Sequence, residues 1–110
     1  SSTSSEIVEE VRARAARSVA GSVLVILDSD HSAAHVSAEL EAYSSLVTPG
    51  SYCLVQDGVI DTLGAFRKYR PGPLPAIRDF VHNHPEFVID EERCQRYLIT
   101  HHPAGWLKRV

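Results

Sequence analysis

Asp28, Asp30 and His31 stand directly after the apolar run 23–27, and Asp57 stands just after a second apolar run, Tyr52 to Val55. Carboxylates at the ends of two neighbouring parallel strands project into one crevice, the place where open α/β sheets bind ligands. Asp28 and Asp57 are therefore candidate catalytic residues, able to share a hard divalent cation such as Mg²⁺, with Gln56 adding an amide oxygen nearby. His31 reads as a base, a ligand or simply a residue at a helix start. Asp30 and Ser32 also suit a turn and a helix cap, because short polar side chains there accept backbone N–H bonds.

The pattern Asp28-x-Asp30-x-Ser32 after a strand loosely resembles the nucleophile motif of haloacid-dehalogenase-type phosphatases, in which the first Asp attacks phosphorus. That motif continues with Gly-Thr, whereas here "HSAA" at 31–34 runs into a helix. His101 and His102 are adjacent, so in a strand they face opposite ways and do not chelate one metal together. His82 and His84 flank a helix stop before Pro85 and suit a helix C-terminus electrostatically. Arg67, Lys68 and Arg70 read as a solvated loop that can also face an anionic substrate. Cys53, in an apolar run, is expected in the core, and Cys94, in a charged one, on the surface.

The elements that must position these groups follow from periodicity. Thr3 and Glu6 have the spacing of a capping box, and Ile7, Val11, Ala15 and Val19 make an apolar stripe on a helix ending at Gly21. The mostly β-branched run 23–27 suits a strand covered on both faces. Ser32 caps a second helix carrying Val36, Leu40, Tyr43 and Val47 on one face, and Thr48-Pro49-Gly50 turns the chain into the strand at 52–55. This is a βαβ unit with a right-handed crossover. Residues 60–72 read as a loop over the site. Pro73 opens a third helix with Leu74, Ile77 and Val81 inward, and 87–90 and 96–100 read as a terminal antiparallel hairpin.

The chain has 110 residues, enough for one core, and its 44% hydrophobic and 23% charged fractions are those of an ordinary globular domain. A net charge of −3 with scattered basic residues indicates neither a nucleic-acid stripe nor a membrane-surface patch. No apolar run approaches the roughly 20 residues of a membrane span, and no secretory signal opens the chain, so a cytoplasmic location is expected.

Taken together, "VLVILDSDHSAAHVSAELEAYSSLVTPGSYCLVQDGV", "GPLPAIRDFVHNHPEFVIDEER" and "YLITHHPAGWLKRV" resemble the cephalosporin hydroxylase / rhamnosyl O-methyltransferase family over nearly the whole chain. The resemblance implies a class I S-adenosylmethionine-dependent methyltransferase fold of which residues 1–110, a single domain, are the C-terminal half: a partial Rossmann-like α/β sheet with a parallel βαβ unit, a C-terminal antiparallel hairpin and helices on both faces. It further implies a metal site at Asp28, Gln56 and Asp57, where the family usually shows Glu-Asp and this chain has Gln-Asp, which weakens the site for Mg²⁺. The implied donor is S-adenosylmethionine, with Asp30 as a cofactor contact. The acceptor is a small-molecule or sugar hydroxyl whose proton His31 accepts. The family's glycine-rich donor turn has no counterpart among the six glycines. The isolated chain is therefore expected to be inactive, and to work as a homo-oligomer or with a missing N-terminal segment. The alternatives are a non-catalytic, oligomerising interaction domain and an Asp-x-Asp phosphatase.

Overall fold

The computed structural model describes residues 1–19 and 21–110. The elements in chain order are α1 (Ser5–Arg17), β1 (Val25–Leu27), α2 (Ala33–Tyr43), β2 (Tyr52–Val55), α3 (Pro73–Asn83), β3 (Phe87–Ile89), α4 (Glu91–Cys94) and β4 (Trp106–Arg109), with 3₁₀ turns at Ser44–Leu46, Gly58–Asp61 and Gly64–Tyr69. They build an α/β fold around one mixed sheet of order β1-β2-β4-β3, in which β1 and β2 are parallel and the other pairs antiparallel. This is the architecture of a partial methyltransferase-like sheet.

The core lies on one face of that sheet. Cys53 and Val55 of β2, Leu107 of β4 and Phe87 of β3 pack with Leu40 of α2 and Ile77 of α3. On the opposite face α4 places the Arg93 guanidinium over the rings of Tyr52 and Trp106, at 4.6 and 5.1 Å, so helices cover both faces as expected. Ser32 caps α2 by accepting the His35 N–H, and Pro73 occupies the first turn of α3, where a missing N–H costs nothing.

Several expectations are corrected. The capping box at Thr3 does not form: the helix begins one residue later, with Ser4 as the N-cap of α1, no side-chain cap bond, and the Ser4 hydroxyl donating to the Ser1 carbonyl. α1 stops at Arg17 rather than Gly21, with Val19 fully exposed, and its buried residue is Val8 while Ile7 and Val11 are exposed. The run 23–27 is not covered on both faces, since β1 is an edge strand with Leu24 and Ile26 about half exposed, at 47% and 54%. Cys94 is buried, its thiol raised in pKa first by that burial, because the turn of α4 points it inward. Cys53 is in the core as expected, and burial pushes its thiol up to about 12.

The largest correction concerns the terminal pair. β3 has its partner at Trp106–Arg109, not at 96–100, and 91–94 is a helical turn. Residues 96–100 include Tyr97, Leu98 and Ile99, all strongly exposed, so their apolar, β-prone composition is not used for pairing. β4 instead threads between β2 and β3, paired on both sides.

Two tests follow from these contacts. A Cβ at Gly105 meets the Val55 carbonyl oxygen at 2.2 Å, beside the bond from Val55 N–H to Gly105 O that starts the β2–β4 pairing. Gly105→Ala is expected to lower the urea midpoint by an amount worth about 1–3 kcal/mol or more. Asp90 accepts the Arg93 N–H at the N-cap of α4 and the Tyr52 hydroxyl at 2.7 Å, and these bonds, the Arg93 one first, hold its pKa below the ordinary value. A depressed carboxylate stabilises the fold above its unfolded pKa and loses that contribution as pH falls through the folded value. Asp90→Asn is therefore expected to flatten the decline in stability measured below about pH 4.

Candidate functional site

The parallel register Leu27↔Val55 continues through the Gln56 N–H, which donates to the Leu27 carbonyl at 3.1 Å. Both chains thus leave the sheet at one level, Asp28 from β1 and Gln56-Asp57 from β2. Asp57 then turns into the left-handed region at φ 58°, ψ 26°, a conformation that Asp tolerates better than most residues. Its N–H donates to Nδ1 of His102 at 3.1 Å, which holds the turn from the far end of the chain.

This geometry gathers Asp28, His31 and Asp57. His31 Nε2 lies 3.1 Å from Asp57 Oδ2 and 3.9 Å from Asp28 Oδ1, and one donor atom from each of the three falls within 4.8 Å of the others. The Asp28 side chain is about half exposed and those of His31 and Asp57 about a quarter, so the cluster opens to solvent while being backed by the fold. His101 approaches the other side of Asp57, its Nδ1 3.8 Å from Oδ1. His102 takes the Asp57 N–H and His101 faces its carboxylate, but both lie outside any strand, so the alternation expected of them in a strand does not arise. Their roles around that residue were not legible in the sequence, where the doublet lies 44 positions away from Asp57.

The remaining candidates have other partners. Asp30 Oδ1 accepts the Ser32 N–H at 2.8 Å, and this bond is the first cause of its lowered pKa, so Asp30 starts α2 as its composition suggested. Gln56 lines a cavity of about 510 Å³ with Asp57, His101, His102, Arg93 and Trp106. A neighbouring apolar cavity of about 520 Å³ shares Asp57 and His101 with it and is lined by His31 in place of Gln56. That second cavity is walled by Val59, Ile60, Leu63, Phe66 and Tyr69, which makes 60–72 a folded cover rather than a bare loop. Arg70 fastens it by donating to the carbonyls of Ile60 and Leu63, and Lys68 lies over the Tyr69 ring. His84 stacks on Phe80 near the end of α3, whereas His82 makes no contribution to the crevice.

Two groups that sequence reasoning passed over support the site from behind. Glu39, buried at 3% exposure, accepts from the hydroxyls of Ser29 and Ser2 at 2.7 and 2.6 Å, tying the turn after β1 to α2. Asp61 accepts the N–H groups of Gly72 and Leu74 at 2.7 and 2.8 Å, capping α3 from the cover segment. Glu39 is legible as a polar residue interrupting an apolar helix face, while Asp61 carries no local cap spacing.

Fold and site together define an α/β protein with an acid-and-imidazole cluster at the ends of two parallel strands, beside an apolar pocket. The family model described as Rhamnosyl O-methyltransferase/CmcI matches residues 1–110, and the chain belongs to that family. Proteins named rhamnosyl O-methyltransferase from Mycobacterium bovis (strain BCG / Pasteur 1173P2) and Mycobacterium tuberculosis (strain ATCC 25618 / H37Rv) are each 34% identical over 110 residues, covering 99% of this chain and 44% of their own length. The protein of that name from Mycobacterium leprae (strain TN) is 31% identical over 109 residues, 98% of this chain and 47% of its own. The chain thus spans less than half the length of these curated relatives. No solved structure gives a significant match. Among the described residues no helix is long and apolar enough to cross a membrane.

Asp61→Ala removes the acceptors of two orphan N–H groups at the start of α3. It is expected to cost about 1–2 kcal/mol and to speed hydrogen exchange at the Gly72 and Leu74 amides, with the strand amides of β2 unaffected.

Proposed function

We propose that the chain is the C-terminal half of an S-adenosylmethionine-dependent, divalent-metal-assisted O-methyltransferase whose acceptor is a sugar hydroxyl. The observation that carries this reading is the convergence of Asp28, His31 and Asp57 within 4.8 Å at the strand ends, in a chain whose relatives are named for methyl transfer to a rhamnosyl group. Two carboxylates and an imidazole so placed fit a divalent cation. When bound, the cation supplies Lewis acidity to an acceptor hydroxyl, and S-adenosylmethionine supplies a methyl group on a sulfonium centre.

The chain's own residues then have separable tasks. Asp28 and Asp57 would hold the cation through their negative charge. The proton that the hydroxyl gives up would go to an imidazole beside Asp57, either His101 or, where it does not hold the cation, His31. The wall of Val59, Ile60, Leu63, Phe66 and Tyr69 keeps bulk water off one side of the crevice. Asp30, exposed at the same strand end, would be the donor-side contact. The glycines here, from Gly21 to Gly105, form no clustered strand-to-helix turn, so no further donor contact is assigned to them. The open edge of β1, flanked by an apolar groove of about 590 Å³ with Ile7, Val11, Leu24 and Ile26 in its lining, is where the family's other strands or a second copy would pair.

In the protein bearing this segment, Asp28→Ala or Asp57→Ala is expected to lower methyl transfer from S-adenosylmethionine to a rhamnoside by about a hundredfold or more, with unfolding midpoints little changed. Unchanged transfer in both variants overturns the reading.

A further inference from the structure

We propose that His31 is a ligand of the divalent cation rather than the proton acceptor, and that it replaces the carboxylate missing at Gln56. The site is then an Asp-His-Asp set suited to Mn²⁺, Co²⁺ or Zn²⁺ more than to Mg²⁺. This rests on the metal-assisted reading above and concerns which residues hold the ion.

The geometry is that of a ligand set short of closure. Bond lengths of roughly 2.0–2.2 Å place neighbouring donors about 2.8–3.5 Å apart around one ion and opposite donors about 4 Å apart. His31 Nε2 stands 3.1 Å from Asp57 Oδ2 and 3.9 Å from Asp28 Oδ1, so small side-chain rotations bring all three onto one centre. The three positions are independently anchored: Asp57 by its N–H bond to His102, the Asp28 turn by Ser29 bonded to Glu39, and His31 by the Asp30–Ser32 turn that opens α2. Gln56 lines one cavity with Asp57 and His101, and His31 lines a second with the same two residues, so both positions border Asp57 from different sides.

Chemistry points the same way. A neutral amide in place of a carboxylate removes charge that Mg²⁺, a hard and reluctantly dehydrated ion, depends on. An imidazole nitrogen restores a strong donor, but one that suits the borderline ions of the later first row. One nitrogen cannot both coordinate an ion and accept a proton, and His101, flanking the opposite oxygen of Asp57, is the imidazole left for the proton.

The test is calorimetric titration of the chain with Co²⁺, Mn²⁺ and Mg²⁺, alongside the visible absorption of the Co²⁺ form. Two carboxylates alone already favour Co²⁺ over Mg²⁺, so the diagnostic is the effect of each substitution on that preference. His31→Ala is expected to weaken Co²⁺ and Mn²⁺ by tenfold or more, leave Mg²⁺ within about twofold and shift the Co²⁺ band, with an unchanged unfolding midpoint. Gln56→Glu, a surface-accessible change that leaves His31 in place, is expected to strengthen Mg²⁺ at least tenfold. Equal Co²⁺ affinity and an unshifted band in His31→Ala overturn the assignment while leaving a metal at Asp28 and Asp57 intact. Absence of binding by all three ions overturns both this assignment and the metal-assisted reading.

Discussion

The register between β1 and β2 is the constraint on which the rest depends. Val25, Ile26 and Leu27 stand opposite Cys53, Leu54 and Val55, and the Gln56 N–H extends the ladder by one bond to Leu27 O. A slip of one residue would turn Leu27 and Val55 out of the core, because successive strand residues face opposite sides. The same slip would separate the exits of the two strands and part Asp28 from Asp57. Core packing and site geometry are therefore enforced by one set of hydrogen bonds, and the burial of Leu27, Cys53 and Val55 stabilises the arrangement of acids at the surface.

β4 completes what that pairing begins. By inserting between β2 and β3 it carries the turn at 101–105 to the end of β2, where His102 receives the Asp57 N–H and His101 approaches its carboxylate. Gly105 is needed there because any side chain would strike the Val55 carbonyl. A backbone residue held in the left-handed region beside two imidazoles is the kind of local conformation that surrounding structure must over-determine, and here strand pairing, a histidine acceptor and a glycine contact all do so.

The fold is asymmetric. One face of the sheet has a dense core under α2 and α3, whereas the β1 edge leaves Leu24 and Ile26 beside the exposed Ile7 and Val11 of α1. Such a surface is consistent with a chain that covers under half the length of its relatives. The polar chemistry lies at the other boundary of the same strand, so the edge that would pair and the crevice that would react are adjacent parts of β1.

Much of the chain was legible without coordinates. Periodicity located α2 and α3, apolar runs located β1 and β2, and the polar residues ending those runs marked Asp28, His31 and Asp57. Periodicity failed for 96–100, whose Tyr, Leu and Ile have strand-like composition but stay exposed, because pairing depends on which segment reaches β3 and the composition of either is equally suitable. It also misjudged Cys94, whose charged neighbours are on the outside of a single helical turn. The sequence by itself determined the local elements and the chemical character of the strand ends, since these follow from hydrophobic period and residue type over a few neighbours. Only the tertiary structure decided that Trp106–Arg109 is the inserted strand, that His101 and His102 close around Asp57, and that Asp61 caps α3. Those contacts join residues 11 to 56 positions apart, where no period is preserved and the outcome depends on the packing of the whole sheet.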